Sequence, residues 1–576
     1  MNPLLRFGIL EFLQRETSAL DRKLLVMTLA SGTANALILA VINAAVESMR
    51  HGGPNWRHLL LFVLALALFA YSLRYILYES SRIAEEAIRN VRVRLADKIR
   101  RSDLLTLESI GEADIHARIS RETSAIGQAA RPLFSAAQSS IMVIFTLAYI
   151  AIVSPMAVLI SVAMIVCGVA IYLKDRKSYE DGLQEASRCE DDLFTSLTGL
   201  LMGFKELRIN RLKSDDVFEE FGTAATRVRD ARVRVMLRFA NNVVFVESFF
   251  VLLVGAIVFV LPILSPSFSG AVTKVVAAVL FLMGPLANVA IMIPVLSQVN
   301  VTVDNLRRLE ATLDETLVPA GREDAPLDGM EDFRAIRFEG VCFNYRSPDG
   351  SAGFQVGPID EEVRRGEILF LMGGNGSGKT TLLKLFTALY RPMQGCIRVD
   401  GAEIVAANVQ SYRNLFSAIF SDFHLFDKLH GLRDAAPERV DQLLRLMEIS
   451  SKTTFRDGRF STILLSTGQR KRLALVVSYL EDKPVYIFDE VAADQDPRFR
   501  GYFYDTLLPE LKRAGKTVVV VSHDDRYFHV ADRVLEMDYG KFREMARTGK
   551  PSKPRKRSSN AKLLTDAKLL TEGREK

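Results

Sequence analysis

The sequence predicts an α-helical membrane domain of six transmembrane helices followed by an α/β domain, and three observations carry that prediction. The first half holds uncharged apolar runs long enough to cross a bilayer. The second half alternates short buried-strand runs with helical segments. One of those helices is preceded by a glycine-rich loop. The composition fits such a division: 49% of residues are hydrophobic and 25% are charged, a mixture that neither a uniform membrane protein nor a uniform soluble one carries. A chain of 576 residues exceeds one compact domain.

The apolar segments come first. Leu24 to Val46 carries no charge, and roughly 20 apolar residues suffice to cross hydrocarbon as a helix. It is too long for a signal peptide and lacks a small-residue cleavage site. His58 to Tyr78 is interrupted only by Arg74 near its end, where a long side chain can snorkel. No charge occurs between Arg131 and Lys174, a length for two spans, with Ser154-Pro155 as the turn between them. Asn242 to Leu264 and Lys274 to Leu296 give the fifth and sixth spans, separated by Ser265-Pro266-Ser267. Gly284-Pro285 is a position for a kink in the sixth, with neighbouring helices satisfying the freed backbone groups.

The connections are unequal. Those between the first and second, third and fourth, and fifth and sixth spans are short. The others, about 79–131 and 174–240, are long, charged and helical in pattern, and the first carries Arg82, Arg89, Arg92, Arg94, Lys98, Arg100 and Arg101. The positive-inside bias therefore puts both long loops and both termini in the cytosol of a multi-pass protein. Lysine and arginine total 74 against 68 acidic residues, a formal charge of +6. Much of that surplus lies near membrane ends and in the tail, so it reads as topology, and no nucleic acid is expected as a partner. Cys167, Cys189, Cys342 and Cys396 show no paired metal spacing and read as isolated thiols.

After Val301 the chain changes character. The expected organisation is a membrane domain over 1–310, an acidic Pro/Gly-containing linker over 311–331, an α/β domain over 332–546 and a basic tail over 547–576. The tail repeats Ala-Lys-Leu-Leu-Thr at 561–565 and 567–571 and is read as disordered. Glu367 to Met372, Val485 to Phe488 and Thr517 to Val521 read as buried strands.

Gly373-Gly-Asn-Gly-Ser-Gly-Lys-Thr380 follows one of these strands and precedes the helical Thr381 to Leu389, the required context of a phosphate-binding loop. Backbone N–H groups of Gly373, Gly374, Asn375, Gly376, Ser377 and Gly378 are placed to cradle phosphates at a helix N-terminus. Lys379 is placed to reach the terminal phosphates and the Thr380 hydroxyl to ligate Mg²⁺. Val485-Tyr-Ile-Phe-Asp-Glu490 ends a strand in two acids. Asp489 is expected in the Mg²⁺ shell, and Glu490 is expected to polarise the attacking water as general base.

Leu465-Ser-Thr-Gly-Gln469, followed by Arg470-Lys-Arg472, narrows the family. Here the chain resembles ATP-binding-cassette (ABC) proteins, whose signature is close to Leu-Ser-Gly-Gly-Gln; Thr467 is a mild departure at the third place. The resemblance implies an ABC ATPase as the α/β domain, with ATP and Mg²⁺ as cofactors. It implies nucleotide contacts from Tyr345, matching the aromatic that stacks on adenine, and from Thr381, Ser466, Thr467, Gly468, Gln469 and Asp496. It also assigns His523, in Val-Ser-His-Asp, as the switch histidine beside the γ-phosphate. The family usually has glutamine in the loop toward the membrane domain, whereas Ala418 to Phe426 offers Ser421 at that place. Either a neighbour such as Asp422 or Gln410 contributes, or coupling is arranged differently.

In this family one chain's signature closes over another's phosphate loop. One copy of each motif and six spans therefore imply a half-transporter acting as a homodimer, with a sister heterodimer as the other possibility. The membrane domain resembles the exporter (type I/IV) kind, with Leu201 to Asn210 where such proteins place a coupling helix. Gly-Phe-Lys-Glu-Leu-Arg-Ile-Asn at 203–210 and Phe-Ser-Asp-Phe-His-Leu-Phe at 420–426 are similar to the branch that exports cyclic peptides and peptide siderophores of the syringomycin and pyoverdine type. That resemblance implies ATP-driven export of a peptide-like substrate across the bacterial inner membrane. A lipid or drug exporter, a siderophore importer and a peptide-sensing membrane ATPase are the alternatives; a soluble cassette ATPase is excluded by six spans. No peptidase-like segment precedes the first span, so leader cleavage is not expected. Besides Arg74, two charged residues fall in or beside spans: Lys274, read as snorkelling, and Glu247, a cargo-contact candidate or a locally paired acid.

Overall fold

A computed structural model describes residues 16, 22–51, 56–264, 272–315, 330–346 and 352–544. The Ser265-Pro266-Ser267 turn, most of the 311–331 linker and the basic tail lie outside the described residues. The chain divides into two compact units, one of residues up to Leu317 without Asp103–Leu105, the other of Asp103–Leu105 and Val318 onward.

The first unit is helical: α1 (Arg22–His51), α2 (Trp56–Arg101), α3 (Leu104–Ile110, from Thr106 on), α4 (Glu112–Val153), α5 (Pro155–Met202), α6 (Phe204–Ile209), α7 (Arg211–Gly255) and α8 (Val272–Glu315). After Gly255 the chain runs through a π-helical turn, Ala256–Val260, into Leu261–Leu264. Among the described residues, five helices are long and apolar enough to cross a membrane, within Arg22–Met49, Trp56–Arg101, Arg118–Val153, Arg211–Ile263 and Val272–Met292; Pro155–Ile171 is a shorter apolar stretch opening α5. The 46 residues of α2 rise about 69 Å at 1.5 Å each, against a hydrocarbon core of about 30 Å. The charged segment after Tyr78 is thus the same helix as the second apolar span.

Ser154-Pro155 makes the break between α4 and α5. Ser154 is extended (φ −155°, ψ 106°), its N–H donates to Ile150 O at 2.7 Å, and its hydroxyl accepts from Ala157 N at 3.3 Å. Proline follows at the first helical position, where its missing N–H costs nothing. Asn210 caps α7 in the same way, accepting from Lys213 N at 3.1 Å. Gly284-Pro285 lies within α8, which continues through it.

The helices pack as α1 along α2, α4 along α8 and α5 along α7. Arg94 ties α2 to the end of α8 through Glu310 (2.7 Å) and also holds Glu16 (2.5 Å), while Lys98 pairs with Asp314 at 2.8 Å. Lys274 does not simply snorkel: it pairs with Glu47 of α1 at 2.5 Å. The four cysteines are free.

The second unit holds β1 (Ala335–Arg346), β2 (Ala352–Arg364), β3 (Ile368–Gly373), α9 (Lys379–Phe386), β4 (Gln394–Val399), β5 (Ala402–Glu403), α10 (Val409–Arg413), β6 (Phe416–Ile419), α11 (Pro437–Leu446), β7 (Phe455–Arg456), β8 (Arg459–Phe460), α12 (Thr467–Glu481), β9 (Val485–Asp489), α13 (Pro497–Tyr502), α14 (Leu508–Arg513), β10 (Thr517–Val521), β11 (Arg533–Asp538) and β12 (Lys541–Glu544). One sheet runs β12-β11-β3-β10-β9-β6, parallel except for its edge strand β12; a second, antiparallel, runs β2-β1-β4-β5.

The continuous apolar strands follow from burial on both faces. Leu369, Leu371, Ile487, Val519 and Val521 enter the core shared with the antiparallel sheet and α9. Their alternates Ile368, Phe370, Tyr486, Phe488, Val518 and Val520 enter the opposite core against α11 and α12. Phe488 is wholly buried, with its ring against Phe503 at 5.4 Å. Phe488→Ala is expected to cost about 3–5 kcal/mol, seen by calorimetry of the purified protein as an earlier unfolding step; an unchanged transition would contradict this packing.

Candidate nucleotide-binding site

Strand β3 ends at Gly373 and α9 begins at Lys379, leaving a loop whose backbone only glycine serves at several places. A Cβ on Gly373 would lie 2.2 Å from Met537 O, and Gly378, at φ 103°, is the residue before α9. Gly374 and Gly376 face open space. The Lys379 side chain is buried, and its Nζ donates to the carbonyls of Gly373 and Gly374, each at 3.0 Å. Burial lowers the Lys379 pKa, opposed by the charges of Glu490 and Asp489. The buried Ser377 Oγ has no hydrogen-bond partner among the described residues. A cation held within a glycine loop, an unfilled hydroxyl and a helix N-terminus together suit an anion.

Asp489 ends β9 with its side chain buried. Its Oδ2 accepts from Thr380 Oγ1 at 3.1 Å and from Ser421 N at 3.4 Å. Burial pushes the carboxyl pKa up, and the bonds from Thr380 and Ser421 pull it partly back. Thr380 and Asp489 offer neighbouring hard oxygens of the kind Mg²⁺ takes, few in number because phosphate and water usually fill the rest; the donors fit that ion. Glu490 follows at φ 53°, and its Oε1 lies 3.1 Å from His523 Nε2. Tyr345 joins Thr381 through a 3.0 Å hydroxyl contact and packs edge-on to Phe343 and Tyr390. The structure thus gathers Gly373–Thr381, Ser421, Asp489, Glu490 and His523. Ser421 reaches this cluster through both its backbone N–H and its side chain, each directed at Asp489, whereas Gln410 of α10 bonds Asn414, just past the end of that helix, at 3.2 Å.

The signature residues lie elsewhere on the unit. Ser466 precedes α12 in a reciprocal capping box with Gln469, and Ser466 and Thr467 are exposed. No hydrogen bond joins Ser466–Gln469 to Gly373–Thr380 among the described residues. A Cβ on Gly468 would meet Asp494 O at 2.7 Å, and Gly468 O accepts from Gln495 Nε2 at 2.9 Å. Asp496 is used as a helix cap, accepting from Arg498 N and Phe499 N at 3.1 and 3.0 Å, and pairs with Arg472.

Sequence reading passed over Lys471. This lysine on α12 is buried, and its Nζ donates to Glu490 O at 2.8 Å and Asp494 Oδ2 at 2.6 Å. A left-handed non-glycine residue costs roughly 1–2 kcal/mol, so the strained Glu490 backbone needs such a partner. The only signal in the chain was a lysine in the middle of Arg-Lys-Arg, indistinguishable there from a solvated charge run. Lys471→Met is expected to lower kcat for ATP hydrolysis about 5- to 30-fold, the equivalent of 1–2 kcal/mol, with nucleotide affinity little changed. Steady-state kinetics beside nucleotide-binding titrations check this; an equal loss in affinity would point to general damage.

A phosphate-binding loop, an acid pair and a separate signature helix, in one chain with a bundle of apolar helices, define an ATP-driven membrane transporter. The family profile described as "ABC transporter" matches residues 356–493. The chain is 33% identical over 536 residues to the ATP-binding protein SyrD of Pseudomonas syringae pv. syringae, covering 90% of this chain and 92% of that protein. It is 29% identical over 275 residues, 45% of each chain, to the mycobactin import ATP-binding/permease protein IrtB of Mycolicibacterium thermoresistibile. An ATP-dependent lipid A-core flippase of Ralstonia nicotianae matches at 32% over 36% of this chain and 37% of its own. A solved bacterial Atm1-family ABC exporter with ATP bound has the same fold, with TM-score 0.76, 20% identity and coverage of 97% of this chain and 99% of that one. The protein belongs to the ABC transporter family, and its ATP hydrolysis is coupled to transport.

Proposed function

We propose that the protein is a homodimeric half-transporter that exports a peptide-like substrate (a cyclic peptide, lipopeptide or siderophore precursor) across the bacterial inner membrane, with both termini cytosolic. The observation that carries the cargo class is the 33% identity to SyrD through 90% of the chain. The lipid flippase and mycobactin importer matches extend over less than half of it. The segments at 203–210 and 420–426, similar to the peptide-exporting branch, agree with this.

Two features support a second copy. Ser466 and Thr467 are exposed, and among the described residues no hydrogen bond joins them to the phosphate loop of their own chain. At the end of the α5–α7 pair, Leu201, Met202, Phe204, Ile209 and Leu212 are exposed around α6, an apolar tip that asks for a partner surface. In each site Lys379 and the loop amides bind the phosphates, Thr380 and Asp489 hold Mg²⁺, which supplies charge neutralisation when bound, and Tyr345 stacks on the base. Glu490 takes the proton of the attacking water, and His523, within hydrogen-bond distance of that carboxylate, orients it toward the terminal phosphate. ATP drives transport because it binds the closed pair better than the open one.

Removing a general base typically costs about 10²- to 10⁴-fold. Glu490→Gln is therefore expected to lose ATP hydrolysis by that factor, together with ATP-dependent accumulation of labelled cyclic peptides in inside-out vesicles, while still binding nucleotide. Uptake of a loaded siderophore into right-side-out vesicles, with none of the peptide accumulation, would reverse the direction and sink this reading.

A further inference from the structure

Between α5, α7 and α8 lies an apolar cleft of about 150 Å³ that includes one ionisable side chain, Glu247. Its walls include Val169 on α5, Phe245, Phe249 and Leu253 on α7, and Met283 on α8. The rings of Phe245 and Phe249 lie 5.5 Å apart, and Gly168 opposite leaves room for them: a Cβ there would meet Phe249 Cε1 at 3.0 Å. Glu247 is five residues beyond Asn242, where the fifth apolar span begins, about 8 Å along the helix at 1.5 Å per residue. With the preceding charged segment in the cytosol, that depth is the inner-leaflet side.

The two span-associated charges part company here. Lys274 has its counter-ion in Glu47. The Glu247 side chain makes no hydrogen bond or ion pair among the described residues, and it is exposed, open to whatever enters the cleft. An ionisable group at membrane depth is expensive to keep and is usually matched by a partner or a pathway. A carboxylate on an apolar, aromatic-walled cleft is complementary to a molecule that has a cation beside apolar surface, since aromatic faces also favour cations.

We propose that this cleft is a cargo subsite in which Glu247 receives a protonated amine, so that the transported class is a cationic peptide whose apolar side chains or acyl tail occupy the Phe245–Phe249 wall. The inference rests on the export reading above and narrows its cargo.

The test uses full-length protein in inside-out proteoliposomes and two probes: a fluorescent cyclic peptide with one ornithine, and the same peptide with that amine acetylated. The wild type is expected to prefer the amine peptide about tenfold in kcat/KM, mainly through KM. Glu247→Gln should bring that ratio close to one, Glu247→Asp should restore most of it, and Glu247→Lys should favour a succinylated peptide instead. Because the readout is a ratio between two cargoes, a folding defect that lowers both does not mimic it, and the charge reversal gives a gain that no defect produces. ATP-dependent accumulation of both peptides with a ratio unmoved by Glu247→Gln overturns the subsite and leaves export standing. Accumulation of neither peptide by the wild type overturns the export reading and the subsite with it.

Discussion

The nucleotide site depends on one constraint, the parallel register in which Val521 of β10 sits beside both Leu371 of β3 and Asp489 of β9. Hydrogen bonding at that level brings three strand ends to one edge of the sheet. The glycine loop leaves from the first, the acid pair from the second, and Ser522-His523 from the third. Slipping any strand by one residue would exchange its two buried faces, sending Ile487 into the core of Phe488 and the reverse. The two hydrophobic cores therefore fix the chemistry: the distances among Thr380, Asp489, Glu490 and His523 follow from the packing of side chains that touch no ligand. Placement of ligands outside the carboxyl ends of parallel strands is general in such sheets, and here its cause is visible in the alternation of valine, isoleucine and phenylalanine.

How far the sequence could be read follows from how local each cause is. The glycine loop was legible because its requirements are written in consecutive residues. The α4–α5 break was legible for the same reason, a serine cap directly before a proline. The long charged stretches were read as connections between spans, but they continue the spanning helices: no glycine or proline interrupts α2 from Trp56 to Arg101, and a change from apolar to charged composition does not end a helix. Lys471, Asp494 and Gln495 were illegible because their roles exist only once α12 packs against the loop after β9. The pairing of Lys274 with Glu47, residues 227 positions apart, was hidden in the same way, as was the bond that Ser421's backbone N–H adds to that of its side chain on Asp489.

The helical unit shows a different economy of polar groups. Toward its charged end, Arg94 is shared between Glu16 and Glu310, and Asn305 Nδ2 donates to Glu122 at 3.2 Å. These contacts tie α2, α4 and α8 together. The α5–α7 pair is held mainly by its own contacts and ends in exposed apolar residues around α6. A pair of long helices stabilised against each other can move as one body when its tip is pushed, since its internal packing need not change.

Lys471 bears on how two ATP sites would act together. Its helix begins with the signature residues, and its ammonium holds the carbonyl of Glu490; Gln495 adds a second tie from the loop after β9 to Gly468. In the proposed dimer, Ser466–Gln469 of one chain face the nucleotide held by the other, whereas Glu490 serves the nucleotide of its own chain. The start of α12 and the base at β9 would then shift together or not at all. A signature engaged on one nucleotide would help hold the other site's base in its strained, left-handed backbone. By linkage the effect must run both ways for binding: whatever the first nucleotide gains from an ordered Glu490 loop, the second gains from an engaged signature. A buried lysine with both of its acceptors on one loop is a short path for such coupling. It needs no rearrangement of the parallel sheet, whose register keeps the remaining groups in place.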